Sequence, residues 1–208
     1  MSKKQLPLNA LDDFLPTGSY SFVEPFLIDY KVHLTITRSR KTVLGNYRHA
    51  HLEKTHRITV NGDLNKFAFL ITLLHELAHL VTFIKFGNKV APHGIEWKQQ
   101  FGQILKQFLD KNLFHTDIRN QLILSIKNPA ASSCADLGLM RVLRKYDEVD
   151  DGYCLVEEIE EGGVFQINDG RVFKRVKKLR KRIQAIEIST GRIYLFSPIF
   201  EVLNRTGS

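Results

Sequence analysis

The chain has 208 residues, 43% of them hydrophobic and 25% charged, enough for one medium domain with a real core and a smaller one. Thirty Lys and Arg stand against 22 Asp and Glu, a formal net charge of +8 that favours contact with polyanions. The first ten residues, M-S-K-K-Q-L-P-L-N-A, form no apolar signal segment, and no uncharged apolar run reaches eighteen residues. Export and membrane insertion are therefore not expected, and the expected location is the cytoplasm. The two cysteines, Cys134 and Cys154, form no close-spaced pair, so a disulfide is not expected either.

In chain order, residues 8–15 predict a short helix ended by Pro16 and Gly18. Residues 21–30 predict a second, with Pro25 in its first turn. Residues 31–37, K-V-H-L-T-I-T, alternate with Val32, Leu34 and Ile36 on one side, the pattern of a half-buried strand. Two more strands are predicted at 44–50 and 56–60. His49 and His51 would share a face of an extended segment, where two imidazoles could bind a second metal. No carboxylate or cysteine accompanies them at ligand spacing, so they read, with His56, as ordinary strand or loop residues. Tyr30 and Tyr47 are hydroxyl donors able to serve an oxyanion, and nothing in the sequence selects either.

From 64 to 86 nearly every position is apolar on all faces, which predicts a helix buried inside a domain. Asp63 is placed to cap its start and Gly87 to end it in the left-handed conformation. His75, Glu76 and His79 interrupt that apolar rod as H-E-L-A-H. Buried polar groups need partners, and residues four apart share one helix face, so the two imidazoles can converge on one ion. Zinc accepts two such nitrogens and keeps room for a third ligand and a water. Glu76 is then placed beside that water as a general base. Pro92 stops any continuing helix and Gly94 permits a tight turn. Residues 95–112 resume a helical spacing through Trp97, Phe101, Ile104, Leu105, Phe108 and Leu109. His93, at the end of the return loop, is the natural third ligand. Trp97 reads as a packing anchor for that loop, and Glu96 as a candidate acceptor for the second N–H of a ligand histidine. The tighter H-x-x-G-x-x-H continuation is absent, because Thr82 and Lys85 stand at its positions.

The stretch H-E-L-A-H-L-V-T-F-I-K-F-G-N-K-V-A-P-H-G-I-E-W-K, residues 75–98, closely resembles the SprT-like (Spartan-related) family of zinc metallopeptidases. The resemblance extends over about residues 20–115 and includes R-S-R-K-T-V-L-G-N-Y-R upstream. It implies His75, His79 and His93 as ligands of one Zn2+ and Glu76 as the catalytic base. It also implies a sheet strand beside the active helix that can pair with extended peptide, although which strand stays open. Known members act on proteins bound or cross-linked to DNA, so a protein substrate of that class is the expectation the resemblance carries.

Residues 117–126 predict one more short helix, 127–135 a linker, and 136–146 a connecting helix. From 153 to 198 the chain turns β-branched and aromatic, punctuated by E-G-G, N-D-G and S-T-G, which predicts a small antiparallel β-module. Many relatives carry a zinc ribbon built on two close cysteine pairs there. Here Tyr153-Cys154 echoes the first pair without its partner, and residues 186–192 stand where the second would be. Thiolates cannot hold a structural zinc in this module. The densest basic run comprises Arg171, Lys174, Arg175, Lys177, Lys178, Arg180, Lys181 and Arg182, a candidate nucleic-acid surface. Eight acidic residues lie between 147 and 161 and would partly neutralise it if the strands were neighbours.

The expected fold is therefore α+β. A zincin-like domain at 1–128 has a small mixed or antiparallel sheet packed on the active-site helix. A linker and connecting helix follow at 129–146, then a C-terminal antiparallel β-module at 147–208. The expected function is zinc-dependent peptide hydrolysis, with nucleic acid as a possible partner. The alternative is a non-enzymatic, zinc-containing nucleic-acid-binding or transcription-associated protein, distinguished by a protein side chain in place of water as the fourth ligand.

Overall fold

Alternation of Val32, Leu34 and Ile36 with polar residues makes β1 (Val32–Thr37) a strand, and it runs parallel to β3 (His56–Asn61). The short β2 (Gly45–Arg48) joins the other side of β3 antiparallel, so the sheet order is β1-β3-β2 and β2 is an open edge. The sheet is thus mixed. The computed structural model describes residues 8–40, 43–50, 55–127, 136–147 and 152–206. A 3-10 helix (Leu8–Phe14) and α1 (Tyr20–Asp29) precede the sheet. Pro25 lies inside α1 rather than in its first turn, so the missing N–H falls where Ser21 would otherwise have accepted a bond.

The central element is α2 (Lys66–Phe86), in which every residue from Phe69 to Ala78 is buried. Strands β2 and β3 pack on one side of it and α3 (Ile95–Leu109) on another, which explains why it is apolar all round. By length and composition it could cross a membrane, yet 78% of its apolar window is buried inside the fold. Its N-cap is Asn65, whose side chain accepts from the Ala68 N–H, and not Asp63. Asn65 is better placed because its amide also donates to the Leu143 carbonyl, 3.0 Å away. Gly87 ends the helix at φ 61° and ψ −144°, a conformation open to glycine but outside the left-handed helical cap that was expected.

Helix α4 (Thr116–Lys127) packs on α3, and α5 (Leu137–Arg144) packs on α4. The helix expected at 136–146 is α5, and it packs within the first unit. Leu139 and Leu143 are buried in the same core as α2, and the Tyr146 hydroxyl donates to Asp117 at 2.7 Å. An amphipathic turn of helix with two buried leucines gains more from that core than from standing in a linker. The expected linker positions 128–135, with Cys134, lie outside the described residues.

The chain divides into two compact units, Met1–Asp147 and Glu148–Ser208. The second is an antiparallel sheet ordered β4-β9-β5-β6-β7-β8. Its strands are β4 (Tyr153–Leu155), β5 (Val164–Gln166), β6 (Val172–Lys178), β7 (Ile183–Glu187), β8 (Ile193–Phe196) and β9 (Glu201–Asn204). Phe165, Phe173 and Phe196 fill its interior, with ring centroids 5.0–5.7 Å apart. Cys154 is half-buried in β4, and residues 186–192 comprise the end of β7 and the turn into β8, closed by the Gly191 N–H donating to the Glu187 carbonyl. Strand β9, beyond Pro198, was not expected. Strand β4 borders β9 rather than β6, whereas the acidic stretch that follows it reaches β6, where the Gly162 N–H donates to the Arg175 carbonyl and the Arg175 N–H to that of Gly163.

Candidate metal centre

Helical geometry turns His75 and His79 to the same side of α2, and the loop from Gly87 to Gly94 brings His93 back over them. His93 Nε2 lies 3.1 Å from His75 Nε2 and 2.9 Å from His79 Nε2. The three ligand atoms lie within 4.8 Å of one another, and among the described residues no other group of three could hold a metal ion. One ring nitrogen carries either a proton or one lone pair, so hydrogen bonding satisfies at most one of the two contacts at His93. A cation accepts all three lone pairs. Bonds of about 2.0–2.1 Å in a tetrahedron put neighbouring nitrogens roughly 3.4 Å apart, close to the separations found. The residues fit a metal.

The loop places His93 under backbone strain. Gly94 N–H donates to the Ala91 carbonyl, closing a turn with Pro92 and His93 in its middle, and His93 has φ 59°. A turn with proline second and a left-handed third residue ordinarily puts glycine or asparagine third. Gly94, expected to permit a tight turn, closes this one and caps the start of α3 with φ −67°. Gly94 is required for space: a Cβ there would meet the Ala91 carbonyl oxygen at 2.9 Å. Strain at a potential ligand is the pattern seen where a side chain is aimed at the expense of its backbone.

Trp97 is fully buried and touches the whole trio, its ring 4.6 Å from that of His75, 4.7 Å from His93 and 5.3 Å from His79. It stacks in turn on Phe101 at 5.0 Å, so it acts as the expected packing anchor. Glu96 does not take the expected place behind a histidine. Its carboxylate turns back over Gly94, and the buried Nδ1 of His75 meets no acceptor among the described residues.

Glu76 is 5% exposed, and burial raises its carboxyl pKa to about 8 against the opposing pull of the Arg40 charge and a hydrogen bond from the Tyr47 N–H. Arg40 is itself held by Asn61 Oδ1 at 2.7 Å and Thr59 Oγ1 at 3.1 Å. Burial lowers His75 to about 3 and His79 to about 4, and His93 also falls below its ordinary value, so the imidazoles are neutral and their lone pairs available. The sequence reading missed Gly45 and Arg40. A lone glycine inside a strand pattern was a signal of close backbone approach, whereas nothing local marked Arg40.

Of the other residues singled out, Tyr47 lies with its ring parallel to that of His79, centroids 6.5 Å apart. Its hydroxyl is 2.8 Å from His56 Nδ1, and the Ala50 N–H points at the same nitrogen, so the hydroxyl donates there. His49 stacks on Phe83 at 4.6 Å, and His51 lies outside the described residues. Tyr30 stacks on Phe26. In the second unit, Arg171 pairs with Asp169, and Arg175 donates to the carbonyls of Glu157 and Ile159. Lys174, Lys177, Lys178, Arg180, Lys181 and Arg182 are exposed and make no ion pair among the described residues.

The profile of the SprT-like family matches residues 22–119. The chain is 33% identical over 128 residues to Protein SprT of Proteus mirabilis (strain HI4320), covering 60% of this chain and 71% of that protein. No solved structure matches it.

Proposed function

The chain belongs to the SprT-like family, and from that premise we propose that it is a zinc-dependent peptidase. The observation that carries this reading is the convergence of three neutral imidazoles beside a buried glutamate. His75, His79 and His93 would hold the ion through Nε2. Zinc so bound would lower the pKa of a water to about 7 and would polarise a carbonyl. A carboxylate of ordinary acidity would be a poor proton acceptor, and burial makes Glu76 a stronger one. It takes the proton of the attacking water and delivers it to the leaving amine.

The register supports β2 as the strand that receives substrate. The Asn61 N–H donates to the Leu44 carbonyl, so by alternation Asn46 and Arg48 bond to β3 while Gly45 and Tyr47 turn their main-chain groups to the open edge. An extended peptide can pair along that edge through the main chain of Gly45 and the carbonyl of Tyr47, whose N–H is taken by the Glu76 carboxylate. The six exposed cations of the β6–β7 hairpin support protein substrates associated with nucleic acid, bound with a steep salt dependence.

The test is Glu76→Gln. The variant keeps one zinc per chain and loses cleavage of an unfolded protein by at least about 100-fold. Undiminished proteolysis would overturn the base assignment. Assaying the wild type with and without DNA tests the nucleic-acid part separately: no change in rate and no salt-dependent binding would remove it.

A further inference from the structure

Gly45 lies against the proposed base more closely than any side chain would allow. A Cβ at this position would sit 2.6 Å from Glu76 Oε1, 2.9 Å from Glu76 Cγ and 2.7 Å from Thr72 Cγ2. Its φ is not in the left-handed region, so the backbone does not require glycine and the space does. Two residues on, the Tyr47 N–H points to the same open edge and bonds the Glu76 carboxylate. Asn61, 1% exposed, holds this end of β2 in place: its N–H bonds the Leu44 carbonyl at 2.9 Å and its amide the Arg40 carbonyl at 3.1 Å.

We infer that Gly45 and the Tyr47 amide are positioning residues for Glu76: the absent side chain of one and the N–H of the other fix the carboxylate in a single place against β2. This rests on the peptidase reading for its consequence in catalysis, but not for the contact itself. A carboxylate three bonds out from an α-helix has several rotamers. Burial alone would not choose among them, whereas one directional hydrogen bond and a slot one methyl group too small for any other residue do. An added methyl at Gly45 must push the carboxylate or Thr72 aside. A displacement of about 1 Å at a reacting group lowers rates by about 100-fold.

Two measurements test the inference. In zinc-loaded Gly45→Ala, kcat falls about 100-fold while KM and the zinc content stay within about twofold of wild type. Asn46→Ala, whose side chain leaves the opposite face of the same strand, keeps wild-type kcat. Hydrogen exchange at the Tyr47 amide, followed by NMR, speeds up at least about tenfold in both Gly45→Ala and Glu76→Ala and is unchanged in Asn46→Ala. A Gly45→Ala enzyme within about threefold of wild-type kcat, or a Tyr47 amide equally protected in Glu76→Ala, would overturn it. If Gly45→Ala does not fold, the exchange rate in Glu76→Ala still decides. Protection lost as expected in the two variants, together with a wild type that lacks peptidase activity, would sink the function and leave the contact standing.

Discussion

Burial moves the titrating groups of the candidate centre in opposite directions, and the metal-free protein should show both. His75, His79 and His93 have folded pKa values below their ordinary 6.5, so the folded chain holds fewer protons there than the unfolded one. Their contribution is full above about pH 6.5 and is lost as pH falls towards 4. Glu76, raised from 4.5 to about 8, behaves oppositely: its contribution is full below 4.5 and is lost as pH rises through 8. Between pH 6.5 and 8 Glu76 would remove roughly 2 kcal/mol from the stability of the chelated protein, against about 1 kcal/mol gained as the three histidines of the unfolded chain shed their last protons. Urea unfolding in a chelator at pH 6.5 and 8 should show a small net fall in the wild type and a rise in Glu76→Gln. Equal slopes in both proteins would mean that the carboxyl is not desolvated as its surroundings imply. None of this was visible in the sequence beyond the statement that polar groups in an apolar helix need partners.

The turn from Ala91 to Gly94 is the element that completes the centre, and its conformation is unfavourable for the residue it carries. His93 at φ 59° occupies a left-handed position that costs a non-glycine residue about 1 kcal/mol. Asparagine adopts that conformation more readily. His93→Asn should therefore be no less stable than wild type when both are metal-free, by thermal unfolding in a chelator, while its zinc affinity falls sharply by titration. A metal-free variant clearly less stable than wild type would show that the histidine is held by packing on Trp97 and not tolerated for the sake of a ligand. At this scale the helices read well: the i, i+4 histidines, the Gly87 stop and the restart at Ile95 all follow from local periodicity. The N-cap at Asn65 did not, because its choice over Asp63 involves Leu143, 78 residues away.

Two separate cores make two separate responses to metal. The cluster around α2 includes the residues that carry His75 and His79, whereas the aromatic cluster of Phe165, Phe173 and Phe196 belongs to Glu148–Ser208. A ligand stabilises only the unit that binds it, by about 4 kcal/mol at a thousandfold excess over Kd. Calorimetry should thus resolve a transition that a chelator lowers and a second that it leaves in place; a single transition shifted as a whole would contradict this. The division also bears on what could be known beforehand. Residue types and their spacing along α2 and the following loop were enough to name the three histidines, because a helix and a tight turn are local structures whose geometry a short stretch dictates. The approach of Gly45 to Glu76, the placing of α5 in the first core, the sheet order that puts β3 between β1 and β2, and the position of β4 away from β6 were decided by the tertiary structure alone. Each depends on which distant surfaces pack together, and that is settled by summed burial and close fit over the whole unit, which no short stretch of chain contains.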